Sequence, residues 1–355
     1  MLLASLCARQ STRPVAFVCK IHIFRSFSVS LRMAGANYIK KVAIVGAGGN
    51  SGIYMTEALL KTGKHTVTAI TRVDSNSTLP EGVQVKKVDY GNHSSIVEAL
   101  QGQDALIITM GVMAPPDQES KLIQAAADAS VPWVLPNAWS PDTANEALVK
   151  DVFPFQKGPM TRGLITKLGK SSFIAVETGF WYEWSLAISA AYGFDFANRA
   201  VTLFDDGETK ISTSTWPQVG RAVASLLSLP IHPEGQDEDR CLDRFKNKMV
   251  YVSSFTVSQK DMLDSVLRVT QTSLEDWKVT KEPVEKRYTQ GIEAMQKGDR
   301  TGFAKMMYSR VFYPDGCGNF DKTRGTSNDL LRLPKEDLDE ATKAAIQRSK
   351  EAPWG

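Results

Sequence analysis

Cysteine and histidine are scarce, four of each in 355 residues. Cys7, Cys19, Cys241 and Cys317 show neither metal-ligand spacing nor a disulfide framework, and no two histidines stand three or four residues apart, so a zinc site has no ligand set. None of the nine tyrosines is followed four residues later by a lysine, which removes the oxidoreductase mechanism that pairs those two side chains on one helix turn. Glycine and proline, 25 and 16 in number, recur at no fixed period, and 43% apolar residues exclude a disordered or fibrous chain. Charge of either sign is also nearly absent in net terms, with 42 Lys+Arg against 39 Asp+Glu. No basic stripe marks nucleic acid as a partner.

The first acid is Glu57, so residues 1–36 hold only basic charge: Arg9, Arg13, Lys20, Arg25 and Arg32, spaced by Ser5, Ser11, Ser26, Ser28 and Ser30. That is the composition of a mitochondrial presequence, and its apolar stretches are too interrupted for a secretory core or a membrane span. The alternative is translation from Met33, which makes the working protein cytoplasmic rather than one of the mitochondrial matrix. No membrane partner is expected.

From residue 37 the chain alternates strand and helix. Lys41–Val45 is a short apolar run, followed by Gly46-Ala47-Gly48-Gly49-Asn50-Ser51-Gly52 and a helical pattern through Met55, Leu59 and Leu60. Further strands are expected at 66–71, 83–88, 105–110, 133–136 and 172–176, with helices between them. This spacing gives an α/β fold, a Rossmann-type doubly wound parallel sheet over 37–177, with a smaller α/β substrate lobe over 178–355 of which 200–230 partly returns to the sheet. The glycines have separate tasks: Gly46 permits a tight turn, Gly49 lets backbone approach a pyrophosphate, and Gly52 lets the helix pack on the strand, with Gly48, Asn50 and Ser51 completing the phosphate loop.

The second strand ends Thr71-Arg72-Val73 where a carboxylate would suit an NAD ribose, so Arg72 argues for NADP, while Asp74 keeps the ribose alternative open. Asp89, after the third strand, is placed for the adenine edge; Thr109, Met110 and Gly111 lie along the cofactor. Turn chemistry is the plainer account of each.

The segments VGAGGNSG (45–52), Thr71-Arg72, DALIITMG (104–111) and VPWVLPNAWSPD (131–142) resemble the NmrA-like, isoflavone reductase-like group of atypical short-chain dehydrogenases, and its fungal members above all, over about residues 39–230. The resemblance implies an NADPH-dependent oxidoreductase that passes hydride to a carbonyl, enone or imine of a small, aromatic or secondary-metabolite substrate. It also implies a lysine acid/base at the head of the helix after the fifth strand, where Lys157 falls. A positioned ammonium there stabilises oxyanion charge or supplies a proton. Gly158-Pro159 places the expected helix start at Pro159, leaving Lys157 just before it. The group's Pro-Ser-Glu-Phe-Gly segment reads Pro136-Asn137-Ala138-Trp139-Ser140 here, so its carboxylate is missing, and Asn137 can orient substrate or serve a turn.

Phe180, Trp181, Tyr182 and Trp184 put four aromatics in five residues, with Phe180, Trp181 and Trp184 as candidate walls for a flat substrate and core packing as the simpler alternative. Thr202–Thr213 reads as a hairpin about Asp205-Asp206-Gly207, and the segment 312–320 as a Gly-rich loop that either covers the site or connects helices. A sensor that binds NADP without turnover and acts through a protein partner is the second functional reading. No metal is expected, and a homodimer is one expectation for the assembly.

Overall fold

A computed structural model describes residues 37–111, 114–235 and 239–351. The leader reading lies outside the described residues. The first strand, β1 (Lys41–Val45), is buried at four of five positions, and β4 (Ala105–Ile108) and β5 (Trp133–Leu135) at every one. Apolar runs covered on both faces are what a parallel sheet between helices demands. With β2 (Thr66–Arg72), β3 (Gln84–Val88), β6 (Ser172–Glu177) and the strand Lys248–Tyr251, they form one seven-stranded sheet. Its order is β3-β2-β1-β4-β5-β6 followed by Lys248–Tyr251, every pairing parallel. The order reverses between β1 and β4, which is where such sheets bind ligands.

The helices α1 (Gly52–Lys61), α2 (His93–Leu100), α3 (Gln118–Asp128), α4 (Glu146–Asp151) and α5 (Lys157–Leu168) fill the connections. One face of the sheet buries Met55, Leu59, Val219 and Val223; the other buries Ile96, Leu122, Ile123 and Ile165. The helix Trp216–Leu227 packs on α1 so closely that a Cβ at Gly220 would lie 2.4 Å from the Tyr54 carbonyl oxygen. Its start is fixed by Thr215, whose hydroxyl accepts from the Gln218 amide.

The lobe holds its own apolar core, with Tyr182, Tyr192, Phe194 and Phe312 at its centre. It carries two three-stranded sheets, and here the hairpin expectation fails. Ala200–Phe204 pairs with Lys278–Glu282 and Phe194–Asp195, while Ile211–Ser214 pairs with Phe255–Val257 and Phe180–Trp181. The turn exists, with Asp205 and Gly207 at positive φ, yet it sends the chain from one sheet to the other. Ile211–Ser214 is buried at all four positions, and its hydroxyls bond across the fold instead of facing a hairpin partner. The segment 312–320 is a fixed connection and no lid: Phe312 and Phe320 are buried and Ser212 donates to the Gly318 carbonyl. Among the described residues no helix is long and apolar enough to cross a membrane.

Candidate functional site

The glycine loop, the head of α1 and the end of β4 meet in one place. Gly46 has φ +85°, and a Cβ there would lie 1.8 Å from the Thr109 carbonyl oxygen; a Cβ on Gly52 would lie 2.0 Å from the Gly46 oxygen and 3.1 Å from the Thr109 methyl. Only glycine fits at either position. The Gly49 amide donates to the Gly46 carbonyl at 2.9 Å, closing the turn. Ser51 leads into α1 but caps nothing; its hydroxyl is 2.8 Å from that of Thr109. The first-turn amides of α1 thus have no side-chain acceptor, and no acid occupies that turn. Such a helix head attracts an anion through its dipole and its amides. The Ile53 amide donates to the Gly49 carbonyl at 2.9 Å, and a cradle that excludes a Cβ at Gly46 and Gly52 beside a helix head with no side-chain cap fits a dinucleotide pyrophosphate. Gly49 and Asn50 are exposed beside it.

Gly48 has a different constraint: a Cβ would come 2.4 Å from the Thr78 carbonyl oxygen, because the loop after β2 packs on it. Arg72 at the end of β2 is 68% exposed, with Asp74 3.7 Å away as a loose, solvent-screened partner. The Thr71 hydroxyl beside it is buried and makes no hydrogen bond among the described residues. Asp89 spends one oxygen on the Gly91 amide at 2.8 Å, the turn role anticipated as its plainer reading. Gly111 touches nothing within 4 Å of a built Cβ. Tyr90, which sequence reasoning passed over, is partly buried beside the Arg72 charge, and burial raises its phenol.

Asn137 is fully employed. Its Oδ1 accepts from the Met110 amide and its Nδ2 donates to the Met110 carbonyl, both at 3.1 Å, so it pins the backbone just past β4. Its own amide donates to Glu119 Oε1 at 2.9 Å. Trp139 Nε1 donates to the Ile108 carbonyl at 2.8 Å. These bonds join the ends of β4 and β5.

Lys157 is the first residue of α5, and the expected start at Pro159 is corrected. Pro159 takes the third helical position, where the amide has no intrahelical acceptor to lose. Lys157 is exposed, its ammonium making no hydrogen bond or ion pair with a described side chain. The following Gly158 is required by contact: a Cβ would lie 2.7 Å from Thr143 Oγ1. Behind it stands a buried network. Arg162 donates to Thr143 Oγ1 at 2.7 Å and to the Thr143 carbonyl at 3.1 Å; Thr143 donates to Glu177 Oε1 at 2.7 Å. Arg162 also lies 3.8 Å from that oxygen. Burial nonetheless pushes Glu177 up to about 8, against the pull of Thr143 and Arg162. The network ties α5 to the end of β6. Nothing in the sequence marked Glu177.

The aromatic run divides in two. Phe180 is buried and stacks on Tyr308 at 4.0 Å between centroids, and Tyr182 is buried with its hydroxyl on Thr342 at 2.8 Å, so both build the lobe core. Core packing, the simpler alternative for Phe180, is what the structure shows. Trp181 and Trp184 are partly exposed and gather with Tyr54 around Trp216. The Arg348 guanidinium lies 4.4 Å over Trp184 and 4.8 Å over Trp216. Glu183 beside them accepts the Trp216 amide at 2.8 Å and is pushed up to about 7 by burial. A cavity of about 520 Å³ lies elsewhere in the lobe, lined by Ile188, Phe194, Phe196, Trp277, Ile346 and Lys350. No glycine-loop residue borders it, so size alone does not locate the chemistry. Among the described residues no group of His, Cys, Asp and Glu could hold a metal.

The model of the NmrA-like family matches residues 39–183. Oxidoreductase aprR of Aspergillus flavus is 28% identical over 312 residues, covering 86% of this chain and 99% of the relative. Oxidoreductase poxI of Penicillium oxalicum is 25% identical over 308 residues, covering 85% and 92%. Among solved structures, an isoflavone reductase aligns at TM-score 0.67 with 17% identity over 86% of this chain and 98% of its own. An NADPH-dependent quinone oxidoreductase of Escherichia coli aligns at 0.62 with 19% identity over 85% and 98%. The stretch matched by the NmrA-like family model includes the glycine loop and the strands β1 to β6, and the fold of the chain is similar to that of the isoflavone reductase.

Proposed function

We propose that the chain is an NADPH-dependent reductase that delivers hydride to a carbonyl, enone or imine of a small substrate. The observation that carries this reading is the three-way contact of Gly46, Gly52 and Thr109 at the head of α1, a cradle shaped for pyrophosphate at the β1/β4 switch point. Gly46, Gly48, Gly49, Asn50, Ser51 and Gly52 hold the phosphates, Arg72 takes the ribose phosphate, Asp89 faces the adenine, and Thr109 and Gly111 line the nicotinamide side. The curated relatives over the same length are named oxidoreductases, and a fold neighbour is named an NADPH-dependent quinone oxidoreductase.

Bound NADPH supplies the hydride. The chain's own part is to fix the acceptor and to answer the charge that builds on its oxygen. Lys157, at the head of α5, stands at the carboxyl end of the parallel strands, where the Nζ ammonium stabilises that oxyanion and gives it a proton. Asn137 holds Met110 and thereby the strand end on which the ring would rest. Trp181 and Trp184 offer flat, partly exposed walls to an aromatic substrate.

The deciding experiment incubates the protein with NADPH deuterated at the transferable position, first with benzylideneacetone as an enone probe, whose product keeps the label on carbon, and then with an extract of small metabolites, and searches for label by mass spectrometry. A labelled product establishes the reductase and its substrate class. Tight NADPH binding with no label in either arm replaces it with dinucleotide sensing through a protein partner.

A further inference from the structure

The lobe cavity of about 520 Å³ has two kinds of wall, an aromatic floor and a basic rim. Phe194 and Trp277 are buried, and the half-buried Phe196 meets both, stacked on Phe194 at 6.2 Å and 23° and edge-on to Trp277 at 6.1 Å and 88°. Trp277 is anchored by its Nε1, which donates to Thr272 Oγ1 at 3.0 Å. Ile188 and Ile346, the latter from the helix Leu338–Glu351, complete the apolar lining. The rim backbone is fixed too, since the Arg199 carbonyl accepts from the Lys278 amide at 2.8 Å. The volume lies within the range of about 300–1,000 Å³ typical of small-molecule sites.

The charged side chains on this cavity are Asp195, Arg199 and Lys350. Asp195 is spent: its oxygens accept from the Asn198 amide at 3.1 Å and from Asn198 Nδ2 at 2.9 Å. Nearby acids outside the lining are engaged as well. Asp276, held below its usual range first by Ser273 and also by the Arg199 charge, accepts from the Ser273 amide at 2.8 Å, and Glu351 beside Lys350 accepts from Gln347. The lining hydroxyls of Thr270 and Ser349 turn back to the Val266 and Ile346 carbonyls, each at 2.7 Å. Arg199 and Lys350 are exposed, and their side chains make no hydrogen bond or ion pair with a described residue. The rim thus carries two uncommitted positive charges and no uncommitted negative one.

We propose that this cavity is a binding site for a small aromatic carboxylate, whose ring lies against Phe194, Phe196 and Trp277 and whose carboxylate meets Arg199 and Lys350. Aromatic walls offer a flat ring a large apolar contact, and charge-assisted bonds from a guanidinium and an ammonium select the anion over its neutral analogue. The lining holds no residue of the glycine loop, of the strand ends at Arg72 and Thr109, or of α5. The site is therefore separate from the one assigned to hydride transfer, and it stands or falls without the reductase reading.

The test titrates 2-naphthoate into the full chain by calorimetry, with and without saturating NADP. Saturable one-to-one binding with Kd below about 1 mM is expected, unchanged by the nucleotide. The neutral 2-naphthamide should bind about tenfold more weakly, and Arg199→Gln combined with Lys350→Gln should weaken 2-naphthoate by a similar factor. Phe196→Ala should weaken both probes. Because Arg199 and Lys350 are exposed, the double variant should melt with wild type; should Arg199→Gln disturb its turn, Lys350→Gln alone decides, and an unweakened Kd there overturns the site. Four other results overturn it: no saturable binding, binding that NADP abolishes, equal affinity for the two probes, or wild-type affinity in the double variant. None of these readouts needs turnover, so a chain that binds 2-naphthoate as expected and reduces nothing keeps this site and loses the reductase.

Discussion

The Ser51 and Thr109 hydroxyls stand 2.8 Å apart and join the head of α1 to the end of β4. Ser51 would ordinarily cap the helix it precedes, and by bonding sideways it leaves the helix head without a side-chain cap. The same contact brings Gly46 and Gly52 against the Thr109 backbone and methyl. The glycine cradle is thus held by two hydroxyls 58 positions apart.

Gly52→Ala should break that assembly. The new methyl would sit about 2.0 Å from the Gly46 carbonyl oxygen, a separation that backbone must move to relieve. A loss on the order of 2 kcal/mol or more in stability is expected, with NADPH affinity down at least tenfold. Thermal unfolding and fluorescence titration measure the two; a variant with wild-type affinity removes the cradle from the site.

On the proposed reading, Arg72→Ala should weaken NADPH binding by about tenfold or more and leave NADH binding almost unchanged, because the guanidinium would meet only the phosphate that distinguishes them. Its one ion-pair partner among the described residues, Asp74, is exposed and 3.7 Å away, so the fold should not suffer. Equal losses for both nucleotides would contradict the assignment.

Lys157→Met should leave nucleotide affinity intact and lower turnover by about a hundredfold. The side chain is exposed and carries no hydrogen bond of the fold, so the melting temperature should stay within a degree or two of wild type. Single-turnover hydride transfer at saturating NADPH checks this; an unchanged rate excludes Lys157 from the chemistry.

Glu177 gives a pH prediction. Its carboxyl, raised from 4.5 to about 8 by burial, keeps a proton in the folded chain that the unfolded chain has lost. A group raised in this way contributes stability that is complete below the unfolded value and is lost as pH climbs through the folded one, at no more than about 1.4 kcal/mol per pH unit. Glu177→Gln lacks the proton linkage, and its amide oxygen can still accept from Thr143. The melting temperature of the glutamine variant relative to wild type should therefore rise between pH 5 and pH 8. Parallel curves over that window would mean that Glu177 is ionised in the fold.

The parts of the site that were legible are those that depend on neighbours in the chain. Gly46 to Gly52 announced a strand, a turn and a helix because only glycine leaves room for carbonyls as close as those at Gly46 and Gly52. The aromatic run at 180–184 was visible as a run, but alternating directions sent Phe180 and Tyr182 into the lobe core and left Trp181 and Trp184 around Trp216. Asp205-Asp206-Gly207 announced a turn correctly and a hairpin wrongly, since a turn fixes a local reversal and not the sheet that the next strand joins. Pro159 suggested too late a start for α5, because it is equally at home at the third helical position.

The sequence by itself determined the parallel α/β order, the glycine loop and the residue types at the strand ends, all consequences of short-range backbone geometry and of apolar runs that must be covered on both faces. Tertiary structure alone decided that Glu119 of α3 reaches Asn137, that Thr143 and Arg162 bury a carboxyl at the end of β6, and that Gly220 fits against Tyr54. Those pairings join residues up to 166 positions apart. No local pattern encodes them, because a buried charge or a missing side chain shows its reason only when the opposing element is in place.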